Sequence, residues 1–83
     1  MSRLDAEERH ALPERSFAYI DSRGVEHLPI NDPSHVRNAA ARFDQTDFES
    51  AEARRAAARH IVAAAERFGI QLADGDAVKV AAR

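Results

Sequence analysis

Eighty-three residues are too few for two independent cores, so the chain is expected to be one domain with a small, alanine-rich interior. A formal charge of −2 gives no global pull toward nucleic acid or an anionic membrane. The lack of cysteine excludes a disulfide framework, a thiolate metal site and thiol catalysis, and fits a reducing compartment.

The first residues, Met1 to Arg9, are charged throughout and carry no apolar stretch of the kind a signal peptide needs, which points to a cytoplasmic protein. Leu4, Ala11 and Leu12 share a helical face, and Asp5, Glu7 and Glu8 suit the positive end of a helix dipole. A short N-terminal helical arm over residues 1–12 follows, ended by Pro13.

From Phe17 to Ile30 the apolar period becomes two, with Phe17, Tyr19, Val25 and Leu28 placed around the polar turn Asp21-Ser22-Arg23-Gly24. This predicts a β-hairpin with Gly24 supplying positive φ. Asp32-Pro33 is a strong helix start, and Val36, Ala39, Ala40 and Phe43 form the stripe of the helix that follows. Asp44 to Glu49 reads as a polar connection pinned by a buried Phe48. A longer helix begins either at a Ser50 cap or at a Thr46/Glu49 capping box. Its stripe runs through Ala57, Ile61, Ala64, Ala65 and Phe68 to a stop at Gly69, after which Ile70 and Leu72 fold back or add a short strand.

The expected architecture is therefore α+β: a short N-terminal helix, a β-hairpin, and two main helices packed on it. Residues 13–72 form the core domain, centred on Phe17, Leu28, Ile30, Val36, Phe43, Phe48, Ile61 and Phe68, and residues 73–83 form a loose tail with too little bulk for a core of its own.

The order Leu12-Pro13 with Phe17-Ala18, then Pro29-Ile30, Asp32, His35, Arg37-Asn38-Ala39 and Ala41-Arg42 is distinctive. It resembles a small uncharacterised bacterial and phage-associated domain family, over roughly Leu12 to Ile70. The resemblance implies homology and a part in assembly, DNA handling or host interaction, and assigns no catalytic residue.

Three constellations bear on chemistry. His27, Asp32 and His35 have the two-histidine, one-carboxylate composition of a weak metal candidate, although Asp32 is already required as a helix cap. Arg37 and Asn38 read either as a recognition face or as a clamp that hydrogen-bonds the hairpin or the following loop. Arg54, Arg55 and Arg59, with Arg37 and Arg42, form a basic face over the two helices, although eleven of the twelve basic residues being arginine also fits a compositional bias. Without a phosphate loop, a nucleophile elbow or a zinc-binding helix motif, and with His60 at a helix boundary, no catalytic residue and no cofactor is expected. The functional expectation is a non-enzymatic protein-interaction module, with a homodimer as one form of partnership. The alternative is an accessory DNA- or RNA-binding protein using Arg37, Asn38, Arg42, Arg54, Arg55 and Arg59.

Overall fold

In the computed structural model, which describes residues 16–83, Asp21 organises the first turn. Its carboxylate Oδ1 accepts from the backbone N–H groups of Arg23 and Val25, both at 2.9 Å, while Gly24 N–H donates to the Asp21 carbonyl. Gly24 takes φ +81°, a conformation costly to any residue with a Cβ. The turn joins β1 (Phe17–Ile20) to β2 (Glu26–Pro29) in antiparallel register, with Phe17 opposite Pro29, Tyr19 opposite His27 and Ile20 opposite Glu26. The arm expected over residues 1–12 lies outside the described range.

Strict alternation fails in the hairpin. Phe17, Ala18 and Tyr19 are all buried, so β1 is covered on both sides, whereas Val25 stands 46% exposed in the turn rather than in a strand.

Helix α1 (Pro33–Arg42) starts where Asp32 accepts from His35 N–H at 2.8 Å, with proline in the first turn where its missing donor costs nothing. Val36, Ala39 and Phe43 are buried as the stripe predicts. A single 3-10 turn, Phe43–Gln45, then redirects the chain, and the Thr46 hydroxyl donates back to the Arg42 carbonyl. Thr46 is thereby engaged with the preceding helix. Ser50 caps α2 (Ala51–Arg67) by accepting from Ala53 N–H at 3.0 Å.

The buried face of α2 is Ala57, Ala58, Ile61, Ala64 and Ala65, small side chains that let its neighbours approach closely. Two aromatic expectations are corrected. Phe68 is 37% exposed, because it caps the helix with φ −97° and ψ 5° and so leaves the stripe, its ring covered by the Arg67 guanidinium at 5.6 Å. Phe48 is half-buried: its ring packs between those of Tyr19 and Phe43, at 4.9 and 5.2 Å, and the rest of it faces solvent. Gly69, at φ +70°, ends α2, and Ile70 and Leu72 pack back against the core without forming a strand.

The tail is not loose. Residues 77–82 form a third helix, α3 (Ala77–Ala82), whose start is capped by Asp76 accepting from Val78 N–H at 2.9 Å. It packs on α2 and on the 3-10 turn, and Val78 is fully buried. One well-placed valine is enough to dock a short helix when the facing wall is alanine and isoleucine. Among the described residues, no helix is long and apolar enough to cross a membrane. The hairpin lies over the helices, β1 against α2 and β2 against α1, with the core between.

Candidate functional site

On α1 the spacing i, i+3, i+7 brings His35, Asn38 and Arg42 to one side, next to β2. With Leu28, Pro29 and Ala39 they line an open groove of about 250 Å³. Leu28 and Ala39 are buried and make its floor, and the three polar side chains are exposed along its rim. Leu28 holds φ +56°, in the left-handed region, at a cost on the order of 1–2 kcal/mol for a residue with a Cβ. Backbone strain of this kind collects at functional sites, and here it lies in the groove floor.

The six residues of the expected basic face differ in what their side chains touch. Arg54 donates from Nη2 to Asp44 at 3.0 Å and lies 4.7 Å over the Phe43 ring, so it is engaged in holding the 3-10 turn to α2. Arg59 donates from Nε to the Ala82 carbonyl at 3.2 Å and so fastens the end of α3. Arg55 sits beside Arg54 in a second depression, where Ala51, Glu52 and Ala81 are the other walls. Arg37, Asn38 and Arg42 are exposed on α1, and their side chains make no hydrogen bond or ion pair among the described residues.

The clamp expected of Arg37 or Asn38 is built from other residues. Glu49 N–H donates to the Tyr19 hydroxyl at 3.2 Å, and the Glu49 carboxylate accepts from Ser22 N–H, which ties the hairpin tip to the loop before α2. His60 adds a second tie, its Nδ1 donating to the Ala18 carbonyl at 3.1 Å. Neither clamp is signalled by spacing, since their partners are 27 to 42 residues apart.

The metal candidates are separated. His27 Nε2 lies 3.0 Å from Asp21 Oδ2, and its ring stacks on Tyr19 at 5.2 Å. Asp32 and His35 are paired with each other at the start of α1 at 2.8 Å. No group of three possible ligands comes together among the described residues.

Hydrogen bonds hold three carboxyls below their ordinary range: Asp21 through His27 and the Val25 amide, Asp32 through the amide and side chain of His35, and Glu49 through Ser22. A carboxyl whose folded-state pKa is depressed stabilises the fold at pH above its unfolded value, and this contribution is lost as pH falls through the folded value. The melting temperature is therefore expected to hold steady near neutrality and to fall once pH drops below about 4.5. The Asp21→Asn and Glu49→Gln double variant should melt lower at neutral pH and show a shallower acid limb in a pH series of thermal melts. An unchanged acid limb would contradict the assignment.

Residues 2–75 match the family described as "Family of unknown function (DUF6582)". The chain belongs to that family. No curated protein and no solved structure matches it. The family match takes in the hairpin, α1, α2 and every groove residue, and it stops just before α3. It extends beyond Leu12 to Ile70, the stretch that carried the sequence resemblance.

Proposed function

We propose that this domain is a small, non-enzymatic protein-interaction module whose α1–β2 groove takes a carboxylate-bearing segment of a protein partner. The observation that carries this reading is that Asn38 and Arg42, whose side chains have no hydrogen-bond or ion-pair partner among the described residues, stand beside an apolar floor of Leu28, Pro29 and Ala39. A guanidinium offers a planar fork of donors that fits a carboxylate, and an amide beside it adds a further donor. The floor suits an apolar side chain next to the acid. An exposed groove of this kind fits weak, transient recognition, with Kd on the order of 100 μM to 1 mM. A cytoplasmic, bacterial or phage setting belongs to the same proposal.

The nucleic-acid reading draws on Arg37, Arg42 and Arg55, which make no ion pair among the described residues. It is disfavoured because Arg54 and Arg59 are engaged within the fold, and because Asp32, Asp44 and Glu52 interrupt any continuous basic track. A ¹⁵N chemical-shift titration separates the two. A capped peptide of leucines and glutamates should give saturable shifts at Leu28, Asn38 and Arg42, and its glutamine counterpart should give none. Shifts at Arg37, Arg42 and Arg55 with duplex DNA, fading steeply with salt, together with silence toward the acidic peptide, would overturn the protein-partner reading.

A further inference from the structure

We infer that the open depression beside Phe68, at the end of α2, is the docking site of this chain's own N-terminal segment, residues 4–12, with Leu12 on the Phe68 ring and Glu8 on the Arg67 guanidinium. Ser16, Ile30, Asn31, Arg67 and Phe68 line that depression, which measures about 340 Å³. Ile30 is buried, whereas Phe68 is 37% exposed, with the Arg67 guanidinium 5.6 Å from its ring centroid. Arg67 is exposed, and its side chain makes no ion pair or hydrogen bond among the described residues. An apolar ring and an unpaired cation thus stand side by side at the surface. A segment that offers an apolar side chain next to a carboxylate complements both.

The chain outside the described range supplies such a segment at this place. Ser16, the first described residue, lies on the rim, and its carbonyl accepts from Ile30 N–H at 2.7 Å, so the chain enters the fold at the edge of the depression. The short stretch from Leu12 to Ser16 keeps the leucine within about 14 Å of that point. So short a tether gives an effective concentration on the order of millimolar, an advantage that the same segment of a second copy lacks. In sequence Leu4, Glu8, Ala11 and Leu12 fall at i, i+4, i+7 and i+8, which is one helical face, with Glu8 one turn from Leu12. A helical turn rises about 5.4 Å, close to the 5.6 Å between the Arg67 guanidinium and the Phe68 ring. The family match begins at residue 2 and so takes in this segment together with α2. The inference uses no residue of the α1–β2 groove, and its outcome is separate from that reading.

The test uses the full chain, labelled at its leucine methyls and held at roughly 50 μM, well below the tethered concentration. NOE cross-peaks from the Leu12 methyls to the Phe68 ring protons are expected, and a mixture of labelled and unlabelled chain should show that they arise within one molecule. Arg67→Glu should weaken them roughly two- to fivefold, the worth of one exposed ion pair, while the hairpin amides keep their shifts. Glu8→Arg combined with Arg67→Glu should restore them. Absence of the cross-peaks in the unaltered chain overturns the inference, and so do cross-peaks between chains, which would make a second copy the occupant. Undiminished cross-peaks in Arg67→Glu, or no recovery in the double variant, overturn it as well. Should a variant fail to fold, the cross-peaks of the unaltered chain still decide the matter.

Discussion

Phe43→Ala is expected to leave the chain largely unfolded near room temperature. Phe43 is the largest fully buried side chain, it packs on Phe48 at 5.2 Å, and the Arg54 guanidinium lies over its ring. Truncating a buried phenylalanine costs about 3–5 kcal/mol. A single core in a chain of this size supplies roughly the same amount, about 3–5 kcal/mol, with no disulfide to add to it. The alanine variant should show a collapsed far-ultraviolet dichroism signal and poor amide dispersion. Phe43→Leu, which keeps most of the apolar volume, should fold with a lowered melting temperature. An alanine variant that melts within a few degrees of the parent would contradict this account of the core.

Val78→Ala carries the second large effect, because it tests whether the C-terminal residues belong to the fold. Removing two buried methyl groups is expected to cost about 2 kcal/mol, at roughly 0.8 kcal/mol for each buried carbon plus the space left behind. In a domain of this size that corresponds to a drop of roughly 8–16 °C in melting temperature. Val80→Ala, at an exposed position on the same helix, should change it little. Equal, small effects at both positions would mean that α3 contributes nothing to stability.

The features legible in the sequence are those whose cause is local. Asp32 and Ser50 cap their helices because a short oxygen-bearing side chain can reach an amide two or three residues on, and Gly24 sits where positive φ is needed. The Val36, Ala39 and Phe43 stripe follows from helical period alone. The features that spacing did not reveal are set by tertiary contact. Phe68 continues the stripe in sequence, yet its backbone turns at the helix end and takes its ring away from the core. Val78 has so little apolar company in sequence that only the alanine wall of α2 makes it a core residue.

The same division runs through the candidate site. Nothing in residue type separates Arg37, Arg42, Arg54, Arg55 and Arg59 from one another. Asp44, the Phe43 ring and the Ala82 carbonyl are what remove Arg54 and Arg59 from the set, and the position of β2 is what joins Asn38 and Arg42 to Leu28 and Pro29. Residue type alone groups His27 with Asp32 and His35, whereas its partner in the fold is Asp21 across the hairpin turn.

A parallel titration of two variants tests this division of the arginines most directly. Arg42→Gln and Arg54→Gln are each titrated with the same acidic peptide, and each is melted. Arg42→Gln is expected to weaken binding about tenfold, equivalent to about 1.4 kcal/mol, with its melting temperature unchanged. Arg54→Gln is expected to bind as the parent does and to melt about 4–8 °C lower, through loss of its contact with the Phe43 ring and its pair with Asp44. Equal loss of binding in both variants, or full binding by Arg42→Gln, would contradict the assignment of Arg42 to recognition and Arg54 to the fold.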